Sequence, residues 1–206
     1  MATTRYVYWD ACVFIKHMAP KSKPDDKLIL DGIDEVMEEA EKGQTLILTS
    51  SITRVEVLDC NIPQDGETKY RKFLQRTIIQ EFDVDPRIAD AAHQIRAHYR
   101  KIGREVSVPD SVHIATACIK GAHQLFTLDG TGKKPGMISL SGRIADRWDM
   151  EICAPRAMMG RLFPFTADVD VAAKKDDVVN VTRSDSAPQQ ESEKTDSEVV
   201  APEPKK

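Results

Sequence analysis

The sequence predicts an α/β fold in which a mainly parallel β-sheet is covered by helices on both faces. Short apolar segments typical of buried strands alternate with amphipathic segments that have helical periodicity. This alternation favours parallel strands that are connected by helices. A second observation is that four acidic residues each lie where an apolar segment ends or where the next helix begins. In α/β proteins, ligands bind at the edge of the sheet where the strands end.

The first part of the chain predicts two strands and four helices. The segment Arg5–Trp9 is short, aromatic and β-branched, as expected for a buried strand. The next elements are predicted to be a helix over Ala11–Met18, a helix that begins at Asp25 and ends at Gly43, a strand over Leu46–Leu48, a helix over Ile52–Asp59, a turn over Pro63–Gly66 and a helix over Tyr70–Ile79. The helix after Asp25 has an apolar stripe that consists of Leu28, Leu30, Ile33, Val36, Met37 and Ala40.

The second part of the chain predicts further strands and helices in alternation. Its predicted elements are a weak strand over Glu81–Val84, a helix over Pro86–Lys101, a helix over Ser111–Lys120, a strand over Leu125–Leu128, a loop over Gly130–Gly136, a strand with a helical turn within Ile138–Trp148 and a last strand over Glu151–Ala154. The helix after Pro86 is predicted to face inward with Ile88, Ala91, Ala92, Ile95 and Tyr99.

Charge and composition divide the chain into a folded part and a tail. From Thr166 onward there are ten acidic and six basic residues, which account for the whole net charge of −4, so residues 1–165 are neutral. Aromatic residues are absent from this tail, and it has too few apolar residues to offset the entropy cost of ordering. We therefore expect one domain over residues 1–160 and a disordered acidic tail over residues 166–206.

The cysteines and the apolar segments predict a cytoplasmic protein. Cys12, Cys60, Cys118 and Cys153 are far apart, without the spacing of a zinc site, and we expect free thiols. The N-terminus has no charged-then-apolar signal pattern, and no apolar run approaches the length needed to span a membrane. Neutrality of the domain does not favour nucleic-acid binding, but it leaves room for basic residues on one face.

Each of the four acidic residues also has an ordinary structural interpretation. Asp10 could cap the helix that follows it. Thr53 and Glu56 match a capping box, Asp110 lies at a helix start where negative charge is favourable, and Asp129-Gly130 is a common turn dipeptide. The repeated placement of all four at strand ends or helix starts favours a shared function. Carboxylates that share one crevice repel each other unless a divalent cation lies among them, and hard oxygen ligands suit Mg²⁺ or Mn²⁺.

The spacing of these acids distinguishes the chain from other folds with acidic pockets. A receiver domain would need paired acids after the first strand, and a haloacid-dehalogenase-type enzyme would need Asp-x-Asp, whereas Asp10 is followed by Ala11-Cys12. Four segments together resemble the PIN-domain ribonucleases, and among these the VapC-type toxins of bacterial toxin–antitoxin pairs. The segments are Val7–Ala11, Ser51–Val57, Pro109–Ala117 and Phe126–Asp129, within a resemblance that covers about residues 5–156.

This resemblance implies a Mg²⁺- or Mn²⁺-dependent endoribonuclease on a three-layer α/β/α sandwich. The acids of the family correspond to Asp10, Glu56, Asp110 and Asp129, and its polar residue before the last acid corresponds to Thr127. Asp10 and Asp110 would then be direct metal ligands, while Glu56 and Asp129 would act through bound water or hold a second ion. The resemblance also implies an RNA substrate, a homodimer and an antitoxin protein as partner.

Two alternatives to this function stay open. Family members often have a further acid after the last one, and Gly130–Gly136 contains none, which motivates a PIN-like module that binds RNA or a protein without cutting it. A nuclease of the same fold that acts on DNA is the other alternative, because only the resemblance favours RNA.

Other polar residues have weaker functional interpretations. His113 lies on nearly the same helical face as Asp110, but we expect a packed histidine rather than a catalytic one. Lys133 and Lys134, in the loop after Asp129, are the preferred candidates for RNA contact. Further basic residues could contact phosphate, although a solvated helix face is the preferred interpretation of each: Lys69, Arg71, Lys72, Arg76, Arg96, Arg100, Lys101 and Arg104.

Overall fold

The structure is a computed structural model, and it describes residues 4–19, 26–60, 65–132 and 135–157. Within these residues the strands are β1 (Arg5–Trp9), β2 (Thr45–Ser50), β3 (Ile79–Phe82), β4 (Gln124–Phe126), β5 (Gly142–Ile144) and β6 (Trp148–Cys153). The helices are α1 (Ala11–Met18), α2 (Lys27–Glu41), α3 (Ile52–Asp59), α4 (Gly66–Leu74), α5 (Pro86–Lys101) and α6 (Val108–Ile119). A 3₁₀ turn covers Met137–Leu140.

The strands form one sheet in the order β3-β2-β1-β4-β6-β5. All neighbouring strands are parallel except β5 and β6, which are antiparallel. Because parallel neighbours need long crossover connections, the helices between them are placed against the faces of the sheet. The predicted α/β fold with a mainly parallel sheet is confirmed.

Hydrophobic cores lie on both faces of the sheet, and the alternation along β1 shows how they are separated. Val7 and Trp9 point to one face, where they join buried residues of α1 and α2 such as Phe14 and Ile33. Tyr8 points to the other face, where the core includes residues of α5 and α6. Since successive side chains of a strand alternate between faces, a single strand serves both cores. The described residues thus form three layers, as the sequence predicts.

The strand order reverses between β1 and β4. From β1 the chain proceeds to β2 and β3 on one side, and β4 then pairs with β1 on its other side. Ligands of open α/β sheets bind beyond the carboxyl ends of the strands at such a reversal. Asp10 follows β1, and Thr127 and Asp129 follow β4, so these three residues lie where the topology places a binding crevice.

Helix α6 begins three residues before the predicted start at Ser111. Ser107 is its N-cap and accepts a hydrogen bond from the amide of Asp110 through Oγ (3.1 Å). Pro109 lies in the first turn, where its missing N–H costs nothing. Asp110 is therefore in the first turn, where its negative charge is favourable, and the cap is Ser107.

Two predicted elements on either side of Ile79 are shifted. The helix predicted over Tyr70–Ile79 is instead α4, which ends at Leu74, and Ile79 begins β3 and pairs with Ile47. The β-branched run Thr77-Ile78-Ile79 favours extended backbone over helix, which explains the error. The strand predicted over Glu81–Val84 consequently starts two residues too late. Leu28 was assigned to the buried stripe of α2, but it is 50% exposed.

The segment before β6 contains the predicted helical turn and strand. The 3₁₀ turn Met137–Leu140 precedes β5, and β6 begins at Trp148 rather than at Glu151. Antiparallel pairing with β5, from Gly142↔Met150 to Ile144↔Trp148, extends β6 beyond the part that pairs with β4. Lys133, Lys134 and the tail over 166–206 fall outside the described residues. Of the turn predicted at Pro63–Gly66, the first two residues also fall outside them. None of the described helices is long and apolar enough to cross a membrane.

We predict that Ser107→Ala lowers the free energy of unfolding by about 1 kcal/mol, because the cap of α6 is lost. Ser107→Thr keeps a hydroxyl, so its free energy of unfolding should decrease much less. Urea denaturation of both variants measures the difference. Equal stability of the two variants would contradict the assigned cap.

Candidate metal centre

Asp10 is the most constrained of the acidic residues. It is 7% exposed and caps α1, with Oδ1 accepting a hydrogen bond from the Ala11 amide (2.6 Å). Its Oδ2 accepts from the Thr127 hydroxyl (2.7 Å) and from the Cys12 thiol (3.0 Å). The capping interpretation of Asp10 is therefore confirmed, and the same carboxylate is also fixed from β4 by Thr127. These donors hold a negative charge rigidly at the end of β1.

His113 connects three elements beside Asp10. Its Nε2 lies 2.6 Å from Oε2 of Glu56 and 3.3 Å from Oδ1 of Asp10, while Nδ1 lies 2.8 Å from the hydroxyl of Tyr8. The ring is fully buried. Burial lowers the pKa of His113, but the hydrogen bond to Glu56 and the charges of Asp10, Glu56 and Asp110 raise it by more, so its pKa lies above the usual value. The imidazole thus offsets part of the negative charge.

Asp110 lies within the electrostatic influence of the other acids. Burial raises the pKa of Asp110, and the charges of Asp10 and Asp129 raise it further, against a lowering by Ser107 and His113. A carboxylate whose neighbours are also negative is disfavoured in its charged form. The charges of Asp10 and Asp129 therefore act on the Asp110 carboxylate in addition to its burial.

Asp129 is exposed and is positioned by the loop that follows it. Its Oδ2 accepts a hydrogen bond from the Met137 amide (2.7 Å), and its own amide donates to Oγ1 of Thr127 (3.0 Å). A Cβ on Gly136 would overlap with the Asp129 carboxylate, so this approach requires glycine. Gly130 has a φ of 100°, which confirms the predicted turn after Asp129. Thr127 thus contacts both the first and the last acid.

The sequence-predicted residues are brought together to different degrees. Ligand atoms of Asp10, Glu56 and His113 all lie within 4.8 Å of one another. Asp110 interacts electrostatically with that group, and Asp129 lies at the exposed side. The capping box proposed for Thr53 and Glu56 is wrong: Thr53 is buried and its hydroxyl pairs with that of Thr49 (2.9 Å), while Glu56 bonds His113.

The donor atoms fit a hard divalent cation. The set consists mainly of carboxylate oxygens, the ligands that Mg²⁺ and Mn²⁺ prefer. A cation among Asp10, Asp110 and Asp129 would relieve the repulsion that raises the pKa of Asp110. The residues present are therefore suited to Mg²⁺ or Mn²⁺.

Two contacts of the site had little signal in the sequence. His113 is packed, as predicted, but its bond to Glu56 joins α6 to α3 and could be seen only in three dimensions. Cys12 is a free thiol, as predicted, and its Sγ accepts a hydrogen bond from the Leu128 amide and donates one to Asp10. Burial and the nearby Asp10 raise the pKa of Cys12 well above the usual value, so it remains a protonated donor. In the sequence, only the i, i+3 spacing of Asp110 and His113 indicated that His113 lies near the acidic residues.

A family model describes most of this domain. The model of the PIN domain matches residues 7–133, a range that contains Asp10, Glu56, Asp110, Thr127 and Asp129. No curated protein matches the chain.

Solved structures of low sequence identity resemble the chain. FitAcB from Neisseria gonorrhoeae has 17% identity and a TM-score of 0.49, covering 72% of this chain and 97% of that chain. VapBC2 from Rickettsia felis, bound to a DNA fragment from the promoter, has 14% identity and a TM-score of 0.48, covering 71% and 98%. VapC20 from Mycobacterium tuberculosis, a toxin that cleaves the sarcin-ricin loop, has 13% identity and a TM-score of 0.47, covering 60% and 90%. The family assignment rests on the family model.

We predict that Tyr8→Phe lowers the free energy of unfolding by about 1–3 kcal/mol, because Nδ1 of the buried His113 loses its hydrogen-bond partner. Tyr6→Phe is the matched control, since Tyr6 is 38% exposed on the same strand. Urea denaturation of the two variants gives the comparison. A Tyr8→Phe protein as stable as Tyr6→Phe would exclude a structural role for this hydrogen bond.

Proposed function

Since this chain belongs to the PIN domain family, we propose that it is a Mg²⁺- or Mn²⁺-dependent endoribonuclease. The observation that carries the proposal is the cluster of Asp10, Glu56 and His113 at the carboxyl edge of a parallel sheet, with ligand atoms within 4.8 Å of one another. The charges of Asp10 and Asp129 also act on Asp110 beside this cluster. Because the charges of Asp10 and Asp129 disfavour the charged form of Asp110, a cationic ligand is the natural complement of the site. A metal site of this kind supports hydrolysis of phosphodiester bonds.

Each acidic residue has a separate proposed role. Asp10 and Asp110 would hold the metal directly, and Glu56 and Asp129 would act mainly through water or a second ion. When bound, the metal lowers the pKa of water and neutralises charge on phosphate oxygens. Thr127 fixes Oδ2 of Asp10 through its hydroxyl.

Other contacts of the chain would preserve this geometry during the reaction. His113 fixes the Glu56 carboxylate, and the Met137 amide fixes that of Asp129. Attack on the phosphate would be in line with the leaving oxygen. No covalent enzyme intermediate is required, which agrees with a site composed of carboxylates rather than of an activated serine or cysteine.

The proposed biological setting follows the sequence resemblance to VapC-type toxins. In that setting the chain would be the toxin of a toxin–antitoxin pair, with an antitoxin protein as its partner. We extend the proposal to a homodimer that acts on RNA in the cytoplasm. The four free cysteines are consistent with a reducing compartment.

A non-catalytic PIN-like module that binds RNA or protein is the second candidate function. Its support is that the acidic residues already have partners on the chain: His113 bonds Glu56, and Asp10 accepts hydrogen bonds from Ala11, Cys12 and Thr127. These hydrogen bonds would stabilise an acidic pocket even if the pocket had no catalytic function. Cleavage assays separate the two candidates.

We predict that Asp110→Asn reduces RNA cleavage about a thousandfold, because the loss of one metal ligand removes several kcal/mol of transition-state stabilisation. EDTA should abolish cleavage by the wild type. Asp149→Asn is the matched control, since Asp149 is an exposed residue of β6. Cleavage of a panel of structured and unstructured RNAs, in Mn²⁺ and in EDTA, measures the effect.

We expect Asp110→Asn to remain folded, so that a loss of activity in this variant can be attributed to the site. Asparagine removes a charge that burial and neighbouring acids disfavour, so Asp110→Asn should be at least as stable as the wild type in EDTA. An Asp110→Asn protein that retains full EDTA-sensitive cleavage would refute the assigned site. RNA binding without any cleavage by the wild type would instead support the non-catalytic candidate.

A further inference from the structure

Three arginine side chains line a groove that begins at Asp110. Arg96 and Arg100 are four residues apart on α5 and therefore share a face of that helix. Arg104 follows Gly103, whose φ of 75° turns the chain back so that the Arg104 amide bonds the carbonyl of Tyr99 (2.9 Å). The groove has a volume of about 360 Å³.

Two of the three guanidinium groups in this groove, those of Arg96 and Arg104, are held by neutral partners. Nε of Arg96 donates to the carbonyl of Val106 (3.0 Å). Nη1 of Arg104 donates to the carbonyl of Ser139 (3.1 Å) and Nη2 to that of Gly136 (3.2 Å). Neutral acceptors orient a guanidinium without cancelling its charge.

Charge compensation distinguishes these three arginines from four others in the domain. Arg5, Arg54, Arg71 and Arg76 are ion-paired with Glu39, Glu81, Glu67 and Glu41. Among the described residues, no ion pair involves Arg96, Arg100 or Arg104. Glu105 and Asp110 are the acids that line the groove. Positive charge thus exceeds negative charge there, and the groove is suited to an anion.

The groove is continuous with the acidic site at two points. Asp110 lines the groove and is also a candidate metal ligand. Arg104 contacts Gly136 and Ser139, in the same segment whose Met137 amide fixes Asp129. A polyanion with one phosphate at the acids would therefore have its neighbouring phosphates beside the arginines.

We propose that Arg96, Arg100 and Arg104 form the subsite for backbone phosphates of RNA next to the cleaved bond. This inference rests on the proposed function and names the surface that positions its substrate. Arginine suits the role because its planar guanidinium can donate two parallel hydrogen bonds to a phosphate. The subsite contacts the backbone and not the bases, so it aligns RNA without selecting its sequence.

The test is binding of a fluorescent single-stranded RNA to the full chain in EDTA, measured by anisotropy at several salt concentrations. Arg100→Gln should weaken binding about five- to tenfold and reduce the slope of log K against log salt by about 0.7, the value for one lost phosphate contact. Arg87→Gln is the matched control because Arg87 is exposed on the same helix, outside the groove. It removes the same charge and should change binding less than twofold.

The outcomes separate this inference from the proposed function. If Arg100→Gln binds RNA as Arg87→Gln does, or if the wild type does not bind RNA, the subsite is refuted. If Arg100→Gln binds RNA more tightly than the wild type, the subsite is equally refuted. Cleavage in Mn²⁺ is measured in parallel: equal binding with intact cleavage overturns only the subsite, whereas arginine-dependent binding without cleavage overturns only the nuclease.

Discussion

Repulsion between carboxylates constrains the whole carboxyl edge of this sheet. Asp10 is buried, and the pKa of Asp110 is raised first by burial and further by the charges of Asp10 and Asp129. Concentrated negative charge of this kind opposes folding unless positive charge or donated hydrogen bonds offset it. On this chain His113 offsets part of it from within, and the arginine groove lies directly beside it. The same excess of negative charge makes the edge suitable for a divalent cation.

Rigid elements bring these groups together. Tyr8, on β1, points to one core, while Trp9 beside it points to the other, so the strand that precedes Asp10 is fixed from both faces. The hydrogen bonds between Tyr8 and His113 and between His113 and Glu56 then join β1, α6 and α3. Side chains held by packing and by a second layer of hydrogen bonds keep their geometry, which a reactive site requires. Stability of the fold and arrangement of the acids therefore depend on the same contacts.

Local patterns in the sequence predict most of the fold, because its elements are short and well separated by turn residues. The bounds of β1, α1, α3 and α5 agree with prediction, and the Asp10 cap is visible as a residue type before a helix. The errors occur where tertiary pairing decides: Ile79 enters a strand because Ile47 offers a partner. At the site, the four acidic residues could be predicted from the sequence because they lie at the ends of strands or the starts of helices. The contacts of His113 with Glu56 and of Cys12 with Leu128 span distant segments, and no local pattern encodes them.

Titration of the full-length chain with Mn²⁺, followed by the midpoint of thermal unfolding, measures most directly whether the gathered carboxylates hold a divalent cation. A ligand at a hundred times its dissociation constant stabilises the folded state by about 2.7 kcal/mol, so the midpoint of the wild type should rise by several degrees. Asp10→Asn should lose most of this rise, because one carboxylate of the site is neutralised. A wild type that is not stabilised by Mn²⁺, or an Asp10→Asn protein stabilised equally, would contradict the existence of the metal centre.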